Sequence, residues 1–497
     1  MNSQRIRPAK AVPAALAAGI AAFFTAQGCE AAPLTATLRP NPMATATLVR
    51  KPDRGATTAA VPASGAAMTA TVVVTSCDDD GGTDTLRHAI LVADEGGTVD
   101  LSGLACSKIT LQSGELTTYL NNLTIVGAGP GKPTIDGAKG SRVFVHKGSG
   151  TLNLTSLTVA NGQNVADAAY GGCIYSKHSV QLENAVVTGC AALGQSKSAG
   201  GGILALDAVT LIGSTVSNSI ASTQSLDGGN TFTAGGGIFA SYHVTMKTSV
   251  VTGNKVKSMA GTSIGGGAMA SELSVKYSTV SKNDAASGGD VDNLGIGGAL
   301  AGSTHTTIFA STIEGNSADA AGAMYLTDDA ASTAGIVQST ISGNVGRLGE
   351  GAFAIGSALL RNSTIAFNES GSLAPVAALF SYSATLQSTI VADNFPIDVA
   401  ATVIGGDHNI IKIVLDGTTV PADTKTFDPQ LLPLALNGGA TRTHALGIGS
   451  PAIGQGSNPG DLPVDQRGPT FKRLVGGTFD IGAFEFDGDH IFGAVFD

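Results

Sequence analysis

Tryptophan is missing from this 497-residue sequence, in which aromatic residues make up only 5% and charged residues only 13%. So little charge, with a mean hydropathy of +0.22, excludes an intrinsically disordered chain. A net charge of −10 leaves no basic face for phosphates, so nucleic acid is not an expected partner. No apolar run has the length of a transmembrane helix in the mature chain. No Cys-x-x-Cys pair indicates a four-cysteine metal site.

Glycine is abundant, with 67 residues, and much of it belongs to a repeat. The segment Ser-Val-Val-Thr-Gly-Asn at 249–254 returns in related form at 278–283, 311–316, 339–344, 363–368 and 388–394. Glycine-rich segments precede the first four copies, at 235–238, 265–268, 297–299 and 321–323. The closing asparagines lie 24 to 33 residues apart, a period typical of solenoids, propellers and arrays.

The repeat unit itself indicates strands. Residues 209–211 and 214–216 alternate apolar and polar side chains, as half-buried strands do. A propeller blade needs roughly 40 residues, so each repeat is predicted to be one coil of an all-β solenoid, a parallel β-helix. In each Ser-Thr-Val/Ile segment, Val or Ile should point inward and Ser and Thr outward. The recurring Asn should occupy a turn with left-handed φ and stack into an amide ladder at about 4.8 Å per coil.

The N-terminus has the composition of an export signal. Arg5, Arg7 and Lys10 precede an apolar run at 11–26, which predicts a signal peptide over 1–29 that is removed on export. Cys29 offers an alternative, a lipid-anchored outer-membrane lipoprotein, although no Leu stands three residues before it. Residues 30–70 are rich in Ala, Thr and Pro and are predicted to form a disordered linker.

Residues 71–100 are predicted to form an N-terminal cap. Leu86, Ile90 and Ala93 fall on one helical face, and Asp84 is placed to cap the helix. A short amphipathic helix here would cover the open end of a solenoid. The stretch Thr-Leu-Arg-His-Ala-Ile at 85–90 resembles the N-terminal segment of bacterial surface β-helix proteins, where such a helix leads into the first coil.

Four cysteines follow the linker. Cys77 and Cys106 flank the predicted helix, and Cys173 and Cys190 lie in adjacent strand elements. Cys190 stands where later coils carry the ladder Asn. Four cysteines permit three pairings, and an exported protein can form disulfides. We favour the pairs Cys77–Cys106 and Cys173–Cys190.

Residues 127–132, Gly-Ala-Gly-Pro-Gly-Lys, look at first like a phosphate-binding loop. The first Gly stands one position too close to the Gly-Lys pair, and Pro133 replaces the Ser or Thr that holds magnesium. We therefore expect no nucleotide, and we predict strands of early coils on both sides of this loop.

Residues 101–425 resemble right-handed parallel β-helix repeat proteins of the bacterial surface, with a pectin lyase-like fold. The repeats resemble the paired Gly-Gly-x-Ile and Phe-x-x-Asn signatures of polymorphic outer-membrane proteins, with Val or Ile in place of Phe. The resemblance implies the fold. It leaves the activity open, because this fold hosts adhesins, passenger domains, lyases and hydrolases.

Residues 426–497 carry five further motifs, at 427–431, 437–444, 449–453, 464–468 and 479–485. In this order they resemble the choice-of-anchor Q domain found near the C-terminus of surface β-helix proteins. We predict that this region is a C-terminal cap. Asp465, Arg467, Asp480 and Glu485 should form a partly buried polar network in it, which is more typical of structure than of catalysis.

Catalytic candidates are few. Glycoside hydrolases need paired carboxylates, and lyases need a base beside a group that neutralises a carboxylate, often calcium. Asp290, Asp292 and Asn293, in a stretched repeat, are candidate calcium ligands, but they lack the twelve-residue loop pattern, and solvated acidic turns are the simpler interpretation. Asp227 and the pair at 328–329 are similar candidates. We expect no cofactor other than calcium.

The expected outer faces favour binding over catalysis. They are dominated by Ser, Thr, Ala and Gly, with isolated lysines at 247, 276 and 282 and few aromatic residues. We predict an exported, non-enzymatic scaffold or adhesin at the bacterial surface or in the medium, with cell-surface glycans or proteins as partners. The alternative is a secreted polysaccharide lyase or glycoside hydrolase that acts in a groove along the β-helix. Two carboxylates with a Lys, Arg or His across neighbouring coils would favour this enzyme.

Overall fold

A computed structural model describes residues 70–127, 132–226, 231–288, 293–326, 332–371, 377–401 and 404–488. The predicted signal peptide, Cys29 and the linker up to residue 69 lie outside these residues. The described chain contains one helix, Leu86–Val92, and three sheets in which the strands of successive coils pair in parallel. None of the described helical structure is long and apolar enough to cross a membrane.

Sheets A and B run through nearly all of the described coils, and sheet C extends from residue 163 to residue 370. Sheet A consists of Thr71–Val73, Thr98–Asp100, Leu116–Thr118, Leu123–Val126, Phe144–His146, Thr151–Thr155, Ile174–Ser176, Ser179–Glu183, Ile203–Ala205, Ala208–Ile212, Ile238–Ala240, His243–Lys247, Ala268–Lys276, Leu300–Phe309, Met324–Leu326, Thr333–Val337, Phe353–Arg361, Leu379–Gln387, Val399–Ala401 and Ile404–Asp407. Sheet B consists of Lys108–Thr110, Thr134–Asp136, Thr158–Ala160, Val186–Thr188, Thr215–Ser217, Val250–Thr252, Thr279–Ser281, Thr312–Glu314, Thr340–Ser342, Thr364–Ala366, Ile390–Ala392 and Ile410–Ile411. Sheet C consists of Gln163–Tyr170, Ala191–Ala199, Ile220–Thr223, Phe232–Ala234, Lys255–Ser258, Ser263–Ile264, Asp284–Ser287, Gly295–Ile296, Ser317–Ala318, Val345–Gly346 and Glu369–Ser370.

The predicted parallel β-helix is therefore confirmed. From residue 144 to residue 370, each coil visits sheet A, sheet B and sheet C in turn. Equivalent residues of successive coils pair directly, as Val251 does with Val280 and Val280 with Ile313. These central residues of the sheet B strands are fully buried and form a continuous apolar column. Glycine is required at the corner between sheets C and A, where the backbones of successive coils lie in contact. A Cβ on Gly236 would collide with the carbonyl oxygen of Gly266.

The predicted asparagine ladder is present between sheets B and C. The side-chain amide of Asn254 donates to Asn283 Oδ1 at 3.0 Å, and the same bond repeats through each later ladder residue. The prediction of left-handed φ at the asparagine itself was wrong. The residue before it adopts that conformation, as Gly253 does with φ 67° and Lys282 with φ 55°, because the Asn side chain must turn inward to reach the next coil.

The prediction that the repeat serines face outward was also wrong. Ser249, Ser278 and Ser311 are buried, and they form a second ladder at the corner between sheets A and B. The backbone N–H of Ser249 donates to Ser278 Oγ at 3.0 Å, and that of Ser278 donates to Ser311 Oγ at 3.1 Å. Facing inward satisfies backbone donors that the tight corner would otherwise leave without a partner.

The helix Leu86–Val92 buries Leu86, Ala89 and Ile90 against the first coils, as an N-terminal cap should. Thr85 rather than Asp84 caps it, by accepting a hydrogen bond from the backbone N–H of His88. The structure joins Cys77 to Cys106 beside this helix and Cys173 to Cys190 across an early corner.

Residues 412–488 cover the last coils and then fold back over the outer face of sheet B. Thr312 Oγ1 donates to the carbonyl of Arg442 at 2.6 Å, and Thr340 Oγ1 donates to Gln466 Oε1 at 2.7 Å. Ile390 and Ile410 pack on this side against apolar residues that include Ile481 and Phe484. The outer face of sheet B is therefore covered from about Thr312 onward, and the outer face of sheet A stays open.

Candidate functional site

The first candidate surface lies on the open outer face of sheet A. Strand His243–Lys247 pairs with the second half of Ala268–Lys276, which places His243 beside Glu272 and Lys247 beside Lys276. The next strand continues the columns with His305 beside Glu272 and Phe309 beside Lys276. We call His243, Lys247, Glu272, Lys276 and His305 the sheet A site.

At the sheet A site, one histidine lies beside a carboxylate, whereas the two lysines have no described carboxylate partner. His243 Nδ1 lies 3.2 Å from Glu272 Oε2 with both side chains about half exposed. In contrast, no described carboxylate lies within 4 Å of either lysine ammonium, and both lysines are exposed. The expectation of isolated lysines was wrong for this pair, because the register brings residues 29 positions apart onto strands about 4.8 Å apart. Two adjacent unneutralised ammonium groups favour an anionic ligand.

The second candidate is a groove of about 630 Å³ between sheet B and the C-terminal region, which we call the cap groove. Its lining is mostly apolar, with four ionisable side chains and one serine at its walls. The lining includes Lys282, Glu314, Ser342, Phe367, Leu431, Pro433, Leu434, Arg442 and His444.

His444 is fixed at the wall of the cap groove by both ring nitrogens. Nδ1 lies 2.7 Å from the carbonyl oxygen of Leu432, and Nε2 lies 2.8 Å from Ser342 Oγ. Because a carbonyl only accepts, Nδ1 carries the proton and Nε2 accepts from the serine hydroxyl. Burial lowers the pKa of His444 below its ordinary value, so the imidazole is neutral near pH 7.

The C-terminal region contains a buried ionic network close to the predicted one. Arg467 Nη2 and Nε both donate to Asp465 Oδ2, at 2.7 and 2.9 Å, and the guanidinium lies between the rings of Phe471 and Phe484. Glu485 accepts from the backbone N–H of Asp480 at 3.0 Å. These contacts join segments of the C-terminal region to one another, which supports the predicted structural role.

Arg473, which no sequence motif indicates, is the largest fully buried side chain among the described residues. Its Nε lies 3.0 Å from Glu485 Oε1, and its Nη2 donates to the carbonyl of Gly482 at 2.7 Å. Burial lowers the pKa of Arg473 and raises the pKa of Glu485. Arg473 and Glu485 are 0% and 1% exposed, so neither side chain is open to a substrate.

One cluster meets the stated criterion of two carboxylates and a cation across neighbouring coils. Arg347 Nη1 lies 2.7 Å from Asp284 Oδ1, and its Nε lies 2.9 Å from Asp319 Oδ1. Asp319 Oδ2 also accepts the backbone N–H groups of Ser287 and Gly295. These groups are engaged with one another and with the backbone, so the cluster is best explained as a structural link between neighbouring coils along sheet C.

The candidate calcium ligands were predicted from the sequence of the stretched repeat at 290–293. Asp290 and Asp292 lie outside the described residues, as do Asp227 and the acidic pair at 328–329, and Asn293 is half-buried at the edge of the gap. Within the described part of the chain, no group of three His, Cys, Asp or Glu side chains is arranged to hold a metal ion. The calcium site stays a prediction.

No protein-family model matches this chain, and no curated protein matches it. Among solved structures, the chain is similar to pectate lyase Pel9A, with 13% sequence identity and a TM-score of 0.42. The similarity covers 84% of this chain and 97% of the lyase chain. Sequence identity and TM-score are both too low to bear on activity, so the function must be argued from the sheet A site and the cap groove.

Proposed function

We propose that this protein is an exported scaffold or adhesin of the bacterial surface or the extracellular medium, and that its sheet A site binds acidic glycans. The resemblance of its repeats to polymorphic outer-membrane proteins, and of residues 427–485 to the choice-of-anchor Q domain, supports a surface location. Two disulfides fit an oxidising compartment, and the apolar run at 11–26 fits export. Binding rather than catalysis is the proposed role of sheet A.

The observation that carries the proposal is the pair formed by Lys247 and Lys276. Their backbones are held in register by a parallel sheet that extends through coils on both sides. A flexible surface would lose conformational entropy when it ordered two long cationic side chains around one anion, whereas here the backbone is already fixed. A uronate or sulfate group on a polysaccharide supplies the complementary charge.

Neighbouring residues fit a sugar chain better than a small anion. Thr245 and Ser274 lie between the lysine and histidine columns and present hydroxyl groups on the same face. Tyr277 follows Lys276 directly and is 43% exposed, with its ring packed edge-on against Phe309 at 5.5 Å. An exposed ring beside hydroxyl and ammonium groups can contact both the apolar and the polar faces of a sugar.

The test compares binding to acidic and neutral polysaccharides at low and high salt. Lys247→Ala/Lys276→Ala should weaken binding to polygalacturonate about tenfold or more, a loss of about 1.4 kcal/mol, and salt should weaken the wild type in the same way. Lys255→Ala/Lys257→Ala is the matched control, because it removes two exposed lysines from sheet C. Equal losses in the two variants, or equal binding of neutral polysaccharides, would refute a specific sheet A site.

The alternative function is a polysaccharide lyase or glycoside hydrolase acting along the same face. His243 beside Glu272, with two lysines on the same strands, favours the lyase, since a base and a charge-neutralising cation are both available. A hydrolase would need a second carboxylate. Formation of unsaturated products or new reducing ends from polygalacturonate with calcium, lost in Lys247→Ala/Lys276→Ala, would replace the binding proposal with this one.

A further inference from the structure

The cap groove contains a serine and a histidine with the geometry of an activated nucleophile. Ser342 Oγ donates to His444 Nε2 at 2.8 Å, and the opposite ring nitrogen donates to the carbonyl of Leu432 at 2.7 Å. The carbonyl thus does what a third residue does in a catalytic triad, because it fixes the tautomer that leaves Nε2 free to take the serine proton. Other sheet B serines lack this partner; Ser281 bonds to the hydroxyl of Thr252.

The walls around this pair suit a substrate with an apolar part and a polar, reactive part. Phe367 is 44% exposed, and its ring lies 5.0 Å from the imidazole of His444. Leu431, Pro433 and Leu434 extend the apolar wall. Lys282 and Arg442 bring positive charge to the same groove, and Glu314 neutralises it only in part, with Oε1 3.5 Å from Arg442 Nη1.

We infer that Ser342 and His444 form a catalytic dyad that hydrolyses esters of small apolar acyl groups. Ser342 Oγ attacks the ester carbonyl carbon while its proton passes to His444 Nε2. Collapse of the tetrahedral oxyanion breaks the bond to the alcohol oxygen, and the leaving alcohol takes the proton from His444. Water then attacks the acyl-serine with His444 as the base, which releases the carboxylic acid and restores the serine.

The cationic lining gives this reaction electrostatic support. Negative charge develops on the carbonyl oxygen in the transition state, and a positive side chain beside that oxygen stabilises it. Arg442 and Lys282 are the described cations of the groove lining. The reaction needs only water as its second substrate and no cofactor. It concerns sheet B and the C-terminal region, so it does not depend on glycan binding by sheet A.

The decisive experiment treats the whole purified protein with a fluorophosphonate and maps the adduct by peptide mass spectrometry. We expect one adduct, on Ser342, together with hydrolysis of p-nitrophenyl butyrate. Ser342→Ala should abolish the adduct, and Ser342→Ala and His444→Gln should each reduce hydrolysis about a hundredfold or more. Ser281→Ala is the matched control, because it removes a buried serine from the same column of sheet B and should leave the rate unchanged.

Other outcomes overturn the inference. If the wild type gives no adduct at Ser342 under saturating reagent, the hydrogen bond only anchors the C-terminal region to sheet B. The same conclusion follows if Ser342→Ala hydrolyses the ester at the wild-type rate. If either variant fails to fold, the position of the fluorophosphonate adduct on the wild-type protein is sufficient to test whether Ser342 is the nucleophile. Lys247→Ala/Lys276→Ala should keep full hydrolysis, so the failure of glycan binding and the failure of the dyad are distinguishable.

Discussion

At the scale of single residues, His444 shows how the C-terminal region is held. Both ring nitrogens are engaged in hydrogen bonds, with Leu432 O and with Ser342 Oγ, and only 3% of the residue is exposed. Burial lowers its pKa, although the hydrogen bond to Leu432 and the charge of Asp393 oppose this shift. A protonated imidazole would have to give up its role as the acceptor for Ser342 and place a charge in a mostly apolar wall.

The first prediction concerns the pH dependence of this contact. Because the folded-state pKa of His444 lies below the unfolded value of about 6.5, the unfolded chain binds more protons, and stability falls as pH drops below that value. His444→Gln keeps a hydrogen-bonding side chain but cannot titrate. The loss of unfolding free energy between pH 7.5 and 5.5, measured by urea denaturation, should be larger in the wild type by up to about 1.4 kcal/mol. Identical pH profiles would contradict the prediction.

At the scale of elements, the asparagine ladder joins six coils and ends at a carboxylate. Asn394 donates its backbone and side-chain N–H groups to Asp398 Oδ1, and the N–H of Ile413 donates to Oδ2. An amide at this final position would bring its own NH₂ group among these donors, whereas a carboxylate only accepts. Burial raises the pKa of Asp398 although these bonds oppose the shift.

The second prediction tests the ladder at Asn316 in its middle. This side chain accepts from the backbone and side chain of Asn283, and it donates to Asn344 and to the carbonyl of Val280. Asn316→Ala leaves buried groups on both neighbouring coils without partners, which should cost about 3 kcal/mol of unfolding free energy. Asn153→Ala, on the outer face of sheet A, is the control and should cost less than about 0.5 kcal/mol. Denaturant titrations measure both losses. If Asn316→Ala costs no more unfolding free energy than Asn153→Ala, the ladder contributes little to stability.

The ladder also shows what the sequence predicts well. The recurrence of Asn with Val or Ile at a fixed offset is enough to predict the coil, its inward column and the stacked amides, since all of these depend on neighbours one period away. The burial of Thr312 and Thr340 could not be predicted in the same way. Their partners, Arg442 and Gln466, lie 130 and 126 residues away, and no local pattern records which face the C-terminal region covers.

The same limit applies to the candidate sites. Ser342 belongs to a repeat in which other copies carry Thr, Ser, Glu or Ala at its position, so nothing in the sequence distinguishes it before His444 packs beside it. The repeat alignment does place Lys247 and Lys276 at equivalent positions, because each lies two residues before its Ser-Val-Val or Ser-Thr-Val segment. The structure adds that the two strands are direct neighbours and that both side chains are exposed on the outer face of sheet A.

At the scale of the whole molecule, the solenoid should respond locally to damage, because each coil contacts mainly its neighbours. The N-terminal end is held by the Cys77–Cys106 disulfide and by Asp79. This carboxylate pairs with Arg87 at 2.8 Å and accepts the backbone N–H groups of Gln112 and Ser113. The other end is held by the C-terminal region, which is joined to sheet B through Thr340 and Gln466. The two ends therefore depend on separate sets of contacts.

The third prediction follows from this separation. Cys77→Ser/Cys106→Ser opens a loop with a sequence separation of 29 residues, which should cost about 3 kcal/mol. Hydrogen exchange should show the lost protection within residues 70–127 and unchanged protection in the ladder from Asn254 to Asn394. Cys173→Ser/Cys190→Ser is the matched comparison and should instead affect the coils around residues 160–220. If either variant lowers protection along the entire ladder, the β-helix unfolds as one cooperative unit, and the contacts between neighbouring coils are stronger than a chain of independent coils allows.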